Sequence, residues 1–183
     1  MLKTSVRLLI TLLALLPAQL ACADASKKMQ VCLGCHGTDT SSSPEYPNLA
    51  GQNAKYIFNQ VQNFKNGTRD DFTMTMMVEA VSDDDIKIIS AEYAKITPKK
   101  NRTDAKLAAK GKLIYDEVCI ACHGATGTGD ENIARLASQK SLYIVKQLQA
   151  FKSGARKNDT MPDVAAELSE DDMKAVAEYI SGL

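Results

Sequence analysis

A chain of 183 residues with 22 basic and 22 acidic side chains has no net charge, and it contains only two histidines. That balance excludes a nucleic-acid-binding footprint, which needs a local surplus of lysine and arginine. Five cysteines are too few for a disulfide-dense scaffold of this length, and two histidines cannot build a histidine-rich metal cage.

The chain opens with Lys3 and Arg7 ahead of the apolar run Leu8 to Leu16, followed by small residues, which is the layout of a secretory signal peptide. Ala21-Cys22-Ala23 supplies an A-x-A site, so residues 1–23 are expected to be removed and the mature chain to begin at Asp24. No later segment approaches the roughly 20 apolar residues of a spanning helix, which predicts no transmembrane span after signal removal. Cys22 could instead carry lipid, but Gln19 stands where lipoprotein signals place an aliphatic residue. Its removal with the leader leaves four cysteines.

Those four lie in Cys32-Leu33-Gly34-Cys35-His36 and Cys119-Ile120-Ala121-Cys122-His123. Each is C-x-x-C-H, the attachment signature of c-type haem, in which both thiols form thioethers and the histidine becomes the proximal iron ligand. Zinc knuckles, redox dithiols and disulfides share parts of this pattern. Two copies ending in His, on an exported chain with no further histidine, favour two covalently attached haem c groups.

The motifs belong to a longer repeat. Shifting the chain by 87 residues superposes Leu49-Ala50 on Leu136-Ala137, Gln52 on Gln139, Tyr56-Ile57 on Tyr143-Ile144 and Gln60 on Gln147. Phe64-Lys65, Gly67, Arg69, Thr73-Met74 and Ser82 fall on Phe151-Lys152, Gly154, Arg156, Thr160-Met161 and Ser169. This is a tandem duplication. Residues 24–97 form the first unit, 98–103 a proline-containing linker and 104–183 the second unit. Residues 24–97 carry 7 basic and 10 acidic side chains, and residues 98–183, linker included, carry 13 and 12.

Apolar spacing predicts an all-α fold. Helices are expected from Gln52 to Lys65, Asp104 to Cys119 and Ser141 to Lys152, with Gly67 and Gly154 closing two of them. Ser82 and Ser169, each followed by three acidic residues, start the helices running to Ile96 and Ile180. Each unit reads as three main helices around a covalently attached haem.

The second axial iron ligand must be found elsewhere, because both histidines are used. Met161 lies 38 residues after His123, and Met74 lies 38 after His36. Met173 is expected in the core. Met76 and Met77 are expected there too, with Met76 the reserve ligand. Tyr56, Tyr143, Arg69 and Arg156 are candidates for contacts with the haem propionates, whose buried charge needs partners. The alternative is that these tyrosines and arginines are ordinary surface residues. The proximal histidine needs an acceptor for its other ring nitrogen, and the loop with Pro47 is a candidate supplier.

Two C-x-x-C-H motifs, each followed by L-A-x-Q-x3-Y, by F-K-x-G-x-R and by Met eight residues before a Ser-acidic helix start, resemble the cytochrome c4 family. The resemblance implies two tandem class I cytochrome c domains, exported to the periplasm and there free or held at the membrane. It implies thioethers at Cys32, Cys35, Cys119 and Cys122, and low-spin irons ligated by His36 with Met74 and by His123 with Met161. The implied function is outer-sphere electron carriage, without catalysis, from an upstream quinol-oxidising complex or dehydrogenase to a membrane-bound terminal oxidase. The alternative is the cytochrome subunit of an oxidoreductase such as flavocytochrome c sulfide dehydrogenase. Dihaem peroxidases and thiosulfate dehydrogenases need a distal site that is open or filled by His or Cys, for which no third histidine or fifth mature cysteine exists. Gas sensing would require Met74 to leave its iron easily. Three departures are expected to matter: the first unit has only Asp24 to Val31 before its cysteine pair, so its first helix is short; it lacks counterparts of Gly111 and Tyr115, where first and last helices cross; and Ala134 replaces the proline matched by Pro47, loosening the second proximal loop.

Overall fold

The computed structural model describes residues 27–183. The expected signal peptide, its cleavage site and Cys22 lie outside the described residues.

Two helical units follow one another. In the first, helix α1 (27–36) ends at His36, and α2 (Ala54–Lys65), α3 (Phe72–Val78) and α4 (Asp83–Lys95) complete the unit. In the second, α5 (Ala105–Ile114) runs through a π-turn at Tyr115–Cys119 into α6 (Ile120–His123); α7 (Ser141–Lys152), α8 (Met161–Ala166) and α9 (Glu170–Gly182) follow. No strand lies among the described residues; an isolated antiparallel bridge pairs Arg69 with Arg156.

The helix starts are set by local chemistry. Ser82 accepts the Asp85 N–H at 3.2 Å, Asp104 that of Leu107 at 2.8 Å, and Asp71 that of Met74 at 3.0 Å. Ser169 and Asp172 form a reciprocal capping box. Such caps satisfy the N–H groups that a first helical turn leaves unpaired.

The second core gathers Tyr115, Ile144, Leu148, Leu168, Met173, Val176, Ala177 and Ile180, and the first gathers Met29, Ile57, Ile89 and Tyr93. In the second unit α5 crosses α9 at Gly111, where a Cβ would overlap the Ala175 carbonyl. Tyr115, fully buried, stacks edge-on against Tyr179 at 5.3 Å.

The first unit solves the same problem differently. Lys28, at the place matched by Tyr115, pairs with Asp85 at 2.7 Å. The carbonyl after each C-x-x-C-H receives a tyrosine hydroxyl in both units. In the second it is Gly124 O from Tyr115 on the first helix at 2.7 Å. In the first it is Gly37 O from Tyr93 on the last helix at 3.3 Å.

The units are bound by a polar boundary with pseudo-two-fold symmetry. Arg69 donates to Tyr143 and Gln147 at 2.8 and 2.9 Å, and Arg156 donates to Tyr56 and Gln60 at 3.1 and 2.9 Å. Each guanidinium also reaches the glutamine of its own unit, Gln60 at 2.7 Å and Gln147 at 2.6 Å. Arg69 lies over Phe64 at 4.6 Å and Arg156 over Phe151 at 4.5 Å, which holds each fork in place. The connecting segment is tied to both sides, through Lys99 N to Asp39 O at 2.9 Å and Asn101 Nδ2 to Ser138 O at 3.1 Å.

Candidate haem sites

Cys32, Cys35 and His36 share the last turns of α1, and Cys119, Cys122 and His123 the end of the α5–α6 rod. Spacings of three and four residues keep these side chains on one side of a helix. The π-turn directly before the second motif widens the helix, a feature that recurs at functional sites. The four cysteines form no disulfide with one another; Cys35 and Cys122 are exposed and their partners half-buried. Burial raises the Cys32 thiol and pushes that of Cys119 up to about 11. A reactive redox dithiol needs the opposite shift.

Each histidine is oriented by a carbonyl. His36 Nδ1 lies 2.9 Å from Pro47 O, and His123 Nδ1 lies 2.9 Å from Ala134 O. A carbonyl can only accept, so Nδ1 carries the proton and Nε2 presents a bare lone pair. Burial lowers both histidines from their ordinary value, with the carbonyl bonds acting against it. The imidazoles are therefore neutral at neutral pH, the form that ligates iron. In the second loop Ala134 stands where the first has Pro47. Asp130 takes the proline's part by accepting the Asn132 and Ile133 N–H groups at 2.7 and 2.8 Å.

The two methionines occupy matching places, each on the first turn of a short helix. Met74 is the third residue of α3 and half-buried; Met161 is the first of α8, its N–H held by Asn158 Oδ1 at 2.8 Å. These helices were not among the elements expected from sequence. Met161 and Cys119 border the same core cluster, and Cys32 borders the first. Met173 is fully buried. Met76 and Met77 are not core residues but 59% and 45% exposed. Met76 follows Met74 by two residues, about 200° around the helix, so one face cannot carry both.

Tyr56, Tyr143, Arg69 and Arg156 are brought together at the domain boundary, each tyrosine paired with the arginine of the opposite unit. Among the described residues neither arginine forms an ion pair, although two guanidiniums share two neutral glutamine oxygens. That leaves positive charge open to carboxylates. Arg135, also at the boundary, has a buried Nε with no partner among the described residues. The cysteine pairs on one helix face, imidazoles with Nε2 unpaired and guanidiniums without a carboxylate together fit covalently held haem with its propionates.

The part sequence reasoning missed is the pair Gln52 and Gln139, buried at 6% and 7%, which reach across the boundary. Their recurrence at the 87-residue shift was the available signal.

The family model for cytochrome c matches residues 108–183. The chain is 35% identical to cytochrome c4 of Azotobacter vinelandii, covering 99% of both sequences. It is 31% identical to a thiosulfate dehydrogenase electron acceptor of Stutzerimonas stutzeri, covering 87% of this chain and 82% of that one. Its fold matches the crystal structure of reduced recombinant cytochrome c4 from Pseudomonas stutzeri with a TM-score of 0.82. That match has 32% identity and covers 88% of this chain and 97% of the other. Identity at this level over nearly the full length of both sequences, with a shared fold, places the chain in the cytochrome c4 family of dihaem electron carriers.

Proposed function

We propose that the protein is a periplasmic electron carrier whose haems are joined to Cys32 and Cys35 and to Cys119 and Cys122. His36 with Met74, and His123 with Met161, are the axial pairs. Bound haem c supplies reversible one-electron chemistry at iron. The chain's own part is to fill both axial positions, so that no substrate binds the metal, and to hold each histidine on a fixed carbonyl. Arg69, Arg156, Tyr56 and Tyr143 would bind the propionates at the boundary. The observation that carries the reading is the identical Nδ1 geometry at both C-x-x-C-H motifs, 2.9 Å to a backbone carbonyl, which leaves each Nε2 free for iron.

The ligand test is direct. Met74→Ala and Met161→Ala, made singly in the haem-loaded chain, are each expected to convert one haem of two from low to high spin in the absorption spectrum. Met76→Ala is expected to leave both low-spin. A Met74→Ala spectrum indistinguishable from wild type would refute the assignment.

The partner is proposed to be a membrane-bound terminal oxidase, fed by a quinol-oxidising complex or dehydrogenase. The likeness to a thiosulfate dehydrogenase electron acceptor supports a second reading, in which a dehydrogenase partner reduces this chain. Reduced protein is mixed with membranes of the source organism under air. Cyanide-sensitive reoxidation supports the first reading. Rapid reduction by a co-purifying dehydrogenase, without reoxidation by membranes, supports the second.

A further inference from the structure

The domain boundary contains two buried amide clamps. Gln139 accepts the Asn48 N–H at 2.7 Å through Oε1 and donates through Nε2 to the Asn48 carbonyl at 3.0 Å. Gln52 treats Arg135 in the same way, accepting its N–H at 2.8 Å and donating to its carbonyl at 3.0 Å. A buried amide is costly unless its polar atoms are paired. Here each Oε1 also accepts the N–H of the next residue, Lys140 at 3.0 Å and Asn53 at 3.1 Å.

The clamped residues are the ones that follow Pro47 and Ala134. The peptide unit whose N–H goes to the far glutamine is therefore the unit whose carbonyl accepts the histidine proton. On one side the series runs His36 Nδ1, Pro47 O, Asn48 N, Gln139 Oε1; on the other it runs His123 Nδ1, Ala134 O, Arg135 N, Gln52 Oε1. A peptide group is a conjugated donor and acceptor, so donating its N–H adds negative charge to its oxygen. A more negative oxygen draws the Nδ1 proton harder and makes Nε2 a stronger donor to metal. A stronger donor favours ferric iron.

We infer that Gln139 and Gln52 are positioning residues that lower, from across the domain boundary, the reduction potential of the haem in the opposite domain. Gln139 acts on the haem of His36, and Gln52 on the haem of His123. The inference rests on the assignment of these histidines as axial ligands. Clamps that served only to glue the domains could grip any exposed backbone along the boundary. Both grip the peptide that orients a histidine.

The test uses the haem-loaded full chain with Gln139→Met or Gln52→Met, which keep side-chain length and delete all three hydrogen bonds of the glutamine. Potentials are measured by spectroelectrochemistry, and each haem is identified by the Nδ1–H resonance of its own histidine in heteronuclear NMR. The expected result is crossed. Gln139→Met raises the potential of the His36 haem alone, by about twofold or more in its reduced-to-oxidised ratio at fixed poise, and weakens the His36 Nδ1–H bond. Gln52→Met does the same to the His123 haem alone. Gln139→Glu, which keeps an acceptor oxygen and gives it negative charge, brings the His36 haem below the wild-type potential. If the methionine variant does not load haem, this glutamate variant decides the matter, and an unchanged or raised His36 potential there counts against the inference. Equal shifts of both haems in either methionine variant, or none in both, overturn it. Wild-type spectra showing His36 or His123 off the iron would refute the ligand assignment itself and the inference with it, before any glutamine is changed.

Discussion

Two tyrosines carry one task from different helices. Tyr115 and Tyr93 are both fully buried, and each donates to the carbonyl that follows a C-x-x-C-H histidine. Burial pushes the Tyr115 hydroxyl up to about 12, so it stays a donor throughout the working range of pH. Tyr115→Phe is expected to cost about 1 kcal/mol of unfolding free energy, the usual worth of one such bond. Tyr93→Phe, whose bond is longer, is expected to cost less. Denaturant unfolding of the haem-loaded chain checks both, and because the hydroxyls stay protonated the losses should be the same at pH 6 and pH 9. The sequence showed that Tyr115 has no counterpart in the first half. It did not show Tyr93 as the replacement, because the repeat places Tyr93 opposite Ile180, and only the packed fold brings its hydroxyl to Gly37. The C-x-x-C-H motifs and the methionine spacing were legible because adjacency or exact repetition along the chain defines them.

Helices α5 and α9 meet where no side chain fits. Gly111→Ala would drive a methyl into the Ala175 carbonyl, and the strain of such overpacking is about 1–3 kcal/mol. A lower melting temperature of the haem-loaded protein, with an unchanged first-domain spectrum, is the expected outcome. The start of α9 gives a pH signature. Hydrogen bonds from Lys110 first, then from Ser169, hold the Asp172 carboxyl down to about 2. A depressed carboxylate contributes stability that is complete above its unfolded value, near 4, and is lost as pH falls toward 2. Asp172→Asn is therefore expected to lower the melting temperature at pH 7 and to flatten its decline below pH 4, as thermal scans across pH would show. Caps of this kind were readable from sequence as Ser followed by acidic residues. Helices α3 and α8 were not, being seven and six residues long. Pro162, which reads as a breaker, is tolerated near a helix start where its missing N–H costs nothing.

At the scale of the molecule, the motifs that repeat within each unit find their partners in the other. F-K-x-G-x-R reads as local structure, a helix end and a turn. Its arginine nevertheless bonds the tyrosine and glutamine of the opposite half. Sequence order could not reveal that, because repeat-mates look the same whether they bond within a unit or between units. The glutamine and arginine contacts of this boundary come in mirrored pairs: Gln52 on Arg135 answers Gln139 on Asn48, and Arg69 on Tyr143 answers Arg156 on Tyr56, while the exposed Lys55–Glu131 pair and the bond from Asn48 Nδ2 to Ser138 O have no counterpart. A surface whose contacts exchange under a half-turn is self-complementary, which is the property of an isologous homodimer. Within one covalent chain the two halves thus meet as the subunits of such a dimer would. The half from 104 to 183, expressed alone with its haem, carries Tyr143, Gln147, Arg135, Gln139 and Arg156, and so holds both sides of that handshake. It is expected to self-associate, with a sedimentation coefficient that rises with concentration, while Arg156→Ala keeps it monomeric.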